Sequence, residues 1–216
     1  MSRPKLVIFD CDGVLVDSET ITNVLLRDDL AARGLTLSLD QIMRLFVGGT
    51  MASVAVKATE MGADIPPEWV EGFYVKMHAA LAAGTPLIDG VETVIDGLDA
   101  AHIPYCVGSN GSLEKMAITL GQHPGLQQRL AGKLYSAHTH GVAKPDPGLF
   151  LIAARDHAVA PEQCTVIDDS PAGCIAARRA GMRCLGFAEH DDGARLVAEG
   201  AQAFHRMSDL PALLSL

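Results

Sequence analysis

Short apolar runs alternate with segments of helical periodicity along most of the chain. The first run, Leu6-Val7-Ile8-Phe9, is continuous, as in strands buried on both faces, and similar runs recur over residues 103–107, 165–167 and 182–187. Between these runs, helical spacing over 91–98 and 113–120 predicts two helices, and further helices are predicted over 149–157 and 171–180. Strands that alternate with single helices predict an α/β fold, with an open parallel sheet and helices on both faces.

Residues 17–83 depart from this alternation, because they show helical periodicity and no strand-like run. One predicted helix starts near Asp17 or Ser18 and ends at Gly34, and two more cover 51–61 and 68–81. An all-helical block after the first strand indicates a second, small domain. The predicted organisation is an α/β core of residues 1–15 and 84–216 and a helical domain of residues 16–83.

Charge and cysteine content restrict the class of partner. The 216 residues include 17 Lys and Arg against 26 Asp and Glu, a formal net charge of −9, which opposes non-specific binding to nucleic acid or to an anionic membrane. Five cysteines without a CxxC pair favour reduced thiols in the cytoplasm, and no apolar stretch approaches the length of a membrane span. We therefore expect a cytoplasmic protein that binds neither nucleic acid nor membrane. The sequence leaves its oligomeric state open, as a monomer or a small homo-oligomer.

Two carboxylates follow the first predicted strand, in Asp10-Cys11-Asp12-Gly13. Residues i and i+2 of an extended chain point to the same side, so both carboxylates can face one reacting group. One could attack as a nucleophile while the other delivers and removes a proton. The alternative is a turn with two solvated aspartates.

Two further motifs could bind an anion. Ser109 and Asn110 lie between glycines after the second predicted strand, where a hydroxyl and backbone N–H groups can cradle phosphate oxygens. Lys144 precedes Pro145, which fixes the local backbone, so its ammonium could neutralise a phosphoryl oxygen. The alternatives are a strand-to-helix turn capped by serine and a surface lysine before a helix.

Asp168 and Asp169 end another predicted strand. Adjacent carboxylates repel each other unless a cation binds them, and Mg²⁺ prefers a few carboxylates together with water and substrate oxygens. Helix capping by Asp169 or Ser170 is the competing interpretation, and both can hold at once. Because ligands of open α/β sheets bind beyond the carboxyl ends of the strands, the motifs can meet in one phosphoryl-transfer site.

As a set, the motifs resemble those of the haloacid dehalogenase-like hydrolase superfamily. Residues 9–19 resemble its first motif, and Ser109, Lys144 and the Asp168-Asp169 pair match the second, third and fourth. Within the superfamily the chain is most similar to the β-phosphoglucomutase-like group of sugar-phosphate phosphatases, which includes the 6-phosphogluconate phosphatases.

This resemblance implies a Rossmann-like core with a helical cap and an aspartyl-phosphate intermediate on Asp10. It also implies Mg²⁺ bound by Asp10, the backbone carbonyl of Asp12, Asp168 and Asp169. By analogy, the cap residues Gly48, Gly49 and Thr50 are expected to form a substrate loop.

Three positions bear on the type of reaction. Asp12 argues against dehalogenation, because dehalogenases of the superfamily lack this second aspartate. The hexose-phosphate mutases that resemble this chain carry His where Thr22 stands and Arg where Met51 stands, so the resemblance favours hydrolysis.

The sequence therefore predicts a Mg²⁺-dependent phosphatase that acts on a small phosphorylated metabolite, a sugar or sugar acid. Two alternatives remain open: a sugar-phosphate mutase, and a phospho-acceptor signalling domain that does not hydrolyse its phosphate. His138 and His140 could form a metal site, but we interpret them as part of a polar loop before Lys144.

Overall fold

A computed structural model describes residues 3–46 and 50–216 of the chain. The chain forms two compact units: the sheet unit, Met1–Asp17 with Pro86–Leu216, and the helical unit, Ser18–Thr85. The predicted substrate-loop residues Gly48 and Gly49 lie outside the described residues.

The sheet unit contains a parallel sheet whose strand order is β3-β2-β1-β4-β5-β6. The strands are β1 (Leu6–Phe9), β2 (Tyr105–Ser109), β3 (Leu134–Ser136), β4 (Cys164–Asp168), β5 (Arg183–Phe187) and β6 (Gln202–Phe204). This arrangement confirms the predicted Rossmann-like α/β fold. The sequence did not predict β3 and β6, and β2 and β4 extend past their apolar runs, so that Ser109 and Asp168 are the last residues of strands.

Helices make up the rest of the regular structure. The helical unit contains α1 (Ser18–Ala31), α2 (Leu39–Phe46), α3 (Met51–Glu60) and α4 (Trp69–Ala83). The sheet unit contains α5 (Val91–Ala100), α6 (Leu113–Leu120), α7 (Pro124–Arg129), α8 (Ala137–His140), α9 (Gly148–Asp156), α10 (Pro171–Arg179), α11 (Ala194–Ala198) and α12 (Leu210–Leu214). Within residues 3–46 and 50–216, no helix has both the length and the apolar character needed to cross a bilayer.

The polar loop expected at His138 and His140 was a wrong prediction. Both residues belong to α8, a single helical turn that follows β3 directly. Its first turn is stabilised because the Ser136 hydroxyl accepts a hydrogen bond from the His138 N–H at 3.2 Å.

Strand β1 shows how the two faces of the sheet are covered. Its side chains alternate, so Val7 and Phe9 pack in one buried apolar cluster and Leu6 and Ile8 pack in another. All four are buried. A strand covered on both faces needs a continuous apolar run, which is why the sequence predicted β1 with its observed ends.

The helical unit has its own core, which includes a buried charged group. Asp29 accepts hydrogen bonds from Trp69 Nε1 at 2.7 Å and Arg33 Nε at 2.8 Å, and it also pairs with Lys76. Burial by itself raises the pKa of Asp29, but the hydrogen bonds from Lys76, Trp69 and Arg33 outweigh it and lower that pKa to about 2. This aspartate therefore stays ionised and cross-links α1 to α4.

Candidate active site

The ends of three neighbouring strands bring the predicted site residues together. Phe9 of β1 pairs with Val107 of β2 and with Ile167 of β4, so the residues that follow lie side by side. The Asp10 N–H donates to the Ile167 carbonyl at 2.8 Å, which continues the ladder by one residue. Asp10 and Asp168 thus emerge at the same edge, where open α/β sheets bind ligands.

Three carboxylates converge at this edge. Asp10, Asp168 and Asp169 each offer an oxygen, and these oxygens all lie within 4.8 Å of one another. Asp10 and Asp168 are buried. Buried like charges at such distances are unfavourable unless positive charge balances them.

Lys144 supplies positive charge to this cluster. Its Nζ lies 2.9 Å from Asp10 Oδ1 and donates a hydrogen bond to Asp168 Oδ2 at 2.8 Å, while only 3% of its side chain is exposed. Burial lowers the pKa of Lys144, but the charges of Asp10 and Asp168 outweigh this effect and raise it. The lysine is therefore a buried permanent cation.

Asn110 holds the backbone of Lys144. Its Oδ1 accepts from the Lys144 N–H at 2.8 Å, and its Nδ2 donates to the Lys144 carbonyl at 3.1 Å. The side-chain amide of Asn110, which the sequence predicted to bind phosphate, is thus hydrogen-bonded to the backbone of Lys144. Asn110 links the second motif to the third.

Asp168 is fixed by the start of α10. The Ser170 N–H and Oγ both donate to Asp168 Oδ1, at 3.0 and 2.7 Å. The Ser170 Oγ also accepts from the Gly173 N–H at 3.0 Å, so Ser170 caps the helix. Helix capping and a carboxylate cluster therefore coexist in this segment, as the sequence allowed.

The electrostatics of Asp10 distinguish it from an ordinary buried acid. Burial is the largest cause that raises the pKa of Asp10, to about 7; the charges of Asp168 and Asp12 also raise it, while Lys144 lowers it. Asp10 Oδ1 is buried, and the cation that it contacts, Lys144 Nζ at 2.9 Å, is shared with Asp168. A buried carboxylate oxygen in this state is suited to accept a bond from a cation or to attack an electrophile.

The donor set fits a hard divalent cation. Three carboxylates at one strand edge, two of which share the ammonium of Lys144, leave surplus negative charge and match the all-oxygen ligands that Mg²⁺ prefers. Two glycines permit the crowding. A Cβ on Gly13 (φ +72°) would lie 2.2 Å from Asp169 Oδ2, and a Cβ on Gly173 would lie 1.9 Å from the Asp168 carboxylate.

Ser109 ends β2 and forms a turn with the glycine two residues later. Its hydroxyl accepts from the Gly111 N–H at 3.0 Å, and the Ser136 hydroxyl at the end of β3 donates to the Gly111 carbonyl at 2.7 Å. A hydroxyl that accepts one bond can still donate its own proton, and in Ser109 that donor could serve a ligand. Sequence reasoning missed Ser136 because it missed β3.

Asp12 has a partner that the sequence did not reveal. Lys115 Nζ, from α6, lies 2.8 Å from Asp12 Oδ1, and both side chains are about four-fifths buried, with 19% and 18% exposed. Burial lowers the pKa of Lys115, but the Asp12 charge and hydrogen bond outweigh it and raise it. Asp12 is therefore held by a cation of its own.

Thr50, the remaining predicted site residue that the structure describes, lies in the helical unit. Its hydroxyl accepts from the Ser53 N–H at 3.2 Å and caps α3. A role in substrate selection stays a prediction for this residue.

With this geometry established, comparison with known proteins decides the family. The family model described as haloacid dehalogenase-like hydrolase matches residues 4–181. The chain belongs to this family. The 6-phosphogluconate phosphatase of Escherichia coli K12 is 32% identical over 218 residues, which cover 99% of this chain and 96% of that protein.

Solved haloacid dehalogenase-like structures agree with the assignment. A protein of unknown function from Agrobacterium tumefaciens superposes with a TM-score of 0.89 and 32% identity, over 98% of this chain and 97% of that one. A hydrolase from Deinococcus radiodurans, with bound phosphate and sodium, gives a TM-score of 0.87 and 30% identity over 100% and 96% of the two chains. The predicted family and the predicted enzyme class, a phosphatase, are both confirmed.

Proposed function

We propose that this phosphatase is Mg²⁺-dependent and hydrolyses the phosphate ester of a small sugar or sugar acid through an aspartyl-phosphate on Asp10. The observation that carries the proposal is the convergence of Asp10, Asp168 and Asp169 within 4.8 Å, beside a buried lysine. In-line phosphoryl transfer depends mainly on positioning and on neutralised charge, and this cluster is suited to both.

The Mg²⁺ ion would be held by the carboxylates of Asp10, Asp168 and Asp169 and, following the resemblance, by the backbone carbonyl of Asp12. When bound, it supplies positive charge that stabilises the phosphoryl oxygens and keeps Asp10 ionised. The raised pKa of Asp10, about 7, is the electrostatic sign of a carboxylate that needs such a cation to attack at neutral pH.

In the first step, the Asp10 carboxylate attacks phosphorus and the ester bond to the sugar oxygen breaks. Asp12 donates a proton to that oxygen, so the alcohol leaves neutral and Asp10 carries the phosphoryl group. Lys144 Nζ and the Ser109 hydroxyl donate to the phosphoryl oxygens. Asn110 contributes by fixing the backbone from which Lys144 extends.

In the second step, Asp12 acts as a base. It takes a proton from water, the water oxygen attacks phosphorus, and the bond to Asp10 breaks. Inorganic phosphate leaves and both aspartates return to their starting protonation states. One carboxylate thus serves as acid and then base, and the cycle needs no further group for proton transfer.

The substrate class is proposed from relatives and from the helical unit. The similar protein from Escherichia coli is a 6-phosphogluconate phosphatase, and the one from Deinococcus radiodurans binds phosphate. We assign the role of substrate-selecting cap to the helical unit, Ser18–Thr85. The absence of the mutases' His and Arg, replaced by Thr22 and Met51, favours hydrolysis over isomerisation.

A phosphate-release screen tests the proposal. The purified chain is incubated with Mg²⁺ and a panel of sugar and sugar-acid phosphates that includes 6-phosphogluconate and a hexose 1-phosphate. We expect multiple turnovers with free phosphate and free alcohol as products. Isomerised hexose phosphate without free phosphate would instead show a mutase, and a single turnover that leaves stable phosphoprotein would show a signalling domain.

A further inference from the structure

The ion pair between Lys115 and Asp12 has no place in the mechanism described so far. Lys115 Nζ lies 2.8 Å from Asp12 Oδ1, and about one-fifth of each side chain is exposed. An ion pair on the open surface costs side-chain entropy and contributes little. This pair is largely withdrawn from water and holds the carboxylate that the mechanism uses as acid and base.

The position of Lys115 in its helix is unfavourable unless it has such a partner. Ser112 caps α6 and accepts from the Lys115 N–H at 3.1 Å, so Lys115 is the third residue of the helix. The amino end of a helix carries partial positive charge and disfavours a cation in the first turn. The Asp12 carboxylate offsets this cost.

The two oxygens of Asp12 have different surroundings. Oδ1 faces Lys115. Oδ2 lies over the turn after β2, because a Cβ built on Gly111 would be 3.3 Å from Asp12 Oδ2 and 3.3 Å from Ser109 Oγ. The ion pair therefore turns one oxygen towards α6, while the other borders the same space next to Gly111 as the hydroxyl that is proposed to bind the phosphoryl group.

We propose that Lys115 is a positioning residue: its ion pair with one Asp12 oxygen holds the other oxygen where it exchanges a proton with the leaving group. This inference rests on the proposed function. Lys115 acts through Asp12 and needs no contact with the phosphoryl group, which distinguishes it from Lys144.

The chemistry of the leaving group separates this role from phosphate binding. A sugar alkoxide is a poor leaving group and needs a proton from Asp12, whereas p-nitrophenolate leaves as the anion without one. The constant kcat/KM reports steps up to the first phosphoryl transfer. A residue that only positions Asp12 therefore affects kcat/KM for a sugar phosphate and spares that for p-nitrophenyl phosphate.

The test measures kcat/KM with Mg²⁺ for the sugar phosphate that turns over best and for p-nitrophenyl phosphate. Lys115→Met is expected to lower the sugar-phosphate value about 10- to 100-fold and the p-nitrophenyl phosphate value by less than about 3-fold. Lys115→Arg, which keeps the ion pair, should restore most of the loss. Lys5→Met is the matched control, because Lys5 is exposed and precedes β1 at the strand end opposite to Asp10.

A double mutant makes the test independent of substrate. If Lys115 acts only through Asp12, Lys115→Met adds no further loss in an Asp12→Asn background. Lys115→Gln, which keeps a donor but no charge, provides a second variant if the methionine variant does not fold, and it should show the same leaving-group split to a smaller degree.

Several results would overturn the inference. Equal losses on both substrates would assign Lys115 to phosphoryl binding or to folding, and unchanged kinetics would make the pair a surface contact. Additive losses with Asp12→Asn would also contradict it. These outcomes differ from failure of the proposed function itself, in which the wild-type protein would hydrolyse neither substrate.

Discussion

The sheet unit and the helical unit each bury an aspartate beside a lysine, and the two carboxylates respond in opposite ways. Asp10 in the sheet unit has its pKa raised to about 7, and Asp29 in the helical unit has its pKa lowered to about 2. Both are less than a tenth exposed. Burial alone therefore does not decide the protonation state of either one.

The difference lies in the balance of charge. Asp29 is one carboxylate with two cationic partners, Arg33 and Lys76, and an indole N–H. Asp10 shares the ammonium of Lys144 with Asp168, and a third carboxylate lies within 4.8 Å. A buried carboxylate that cations balance stays ionised, whereas surplus negative charge indicates a place where a cation or a reacting group binds.

The largest effect is expected in the cluster of Asp10, Asp168 and Asp169, where negative charge is in surplus. Asp10→Asn removes the nucleophile and should lower turnover of every phosphate ester by at least about 10⁴-fold. The variant should remain folded, because the amide relieves repulsion by Asp168. Circular dichroism and phosphate release check both expectations, and residual activity near wild type would show that Asp10 is not the nucleophile.

Removal of divalent metal should have the next largest effect. Chelation is expected to lower turnover at least about 100-fold, with recovery on adding Mg²⁺. At 100 times its dissociation constant, Mg²⁺ should stabilise the wild-type protein by about 2.7 kcal/mol in denaturant melts. Asp29→Asn should retain this gain and Asp169→Asn should lose most of it; equal gains in both variants would locate the ion elsewhere.

Replacing Asp29, whose charge is balanced by Arg33 and Lys76, should change the free energy of unfolding and its dependence on pH. The pKa of Asp29 falls from 3.8 to about 2 on folding, so its contribution is present above pH 3.8 and is lost as pH falls through about 2. Because about half of the Lys76 side chain is exposed, we discount the shift to about 1–2 kcal/mol. Urea unfolding of Asp29→Asn should show this loss at pH 6 and a smaller difference from wild type at pH 3.

The smallest effect is expected from removing the hydrogen bonds that hold the backbone of Lys144. Asn110→Ala removes two hydrogen bonds to the Lys144 backbone and should lower kcat/KM about 10-fold by misplacing the ammonium. Both sugar phosphates and p-nitrophenyl phosphate should be affected alike, unlike the Lys115 variants. A loss confined to sugar phosphates would contradict this role.

The sequence predicted those parts of the fold that have a strong local pattern. Strand β1 and helix α6 have their predicted ends because a continuous apolar run and a clean helical spacing determine them. The three-residue strands β3 and β6 lie at the two edges of the sheet. Such short segments carry too few residues for a period to emerge, and pairing with a neighbouring strand defines them.

For the candidate site, the sequence predicted the motif residues but not their supports. Asp10 and the Asp168-Asp169 pair follow from their places at strand ends, and Lys144 was predicted because Pro145 fixes the backbone next to it. Lys115 could not be assigned by pattern, because a lysine in a helix is usually solvated. The one local signal was its position in the first turn after a capping serine, where a cation opposes the helix dipole.

Gly173 has a consequence for engineering this protein. Its missing side chain lets the first turn of α10 approach so closely that a methyl group there would overlap the Asp168 carboxylate. A library randomised at position 173 and selected for turnover should return glycine alone, whereas Gly72, within α4 and facing open space, should accept alanine with a gain in helix stability. Position 173 is thus closed to side chains that position 72 can accept.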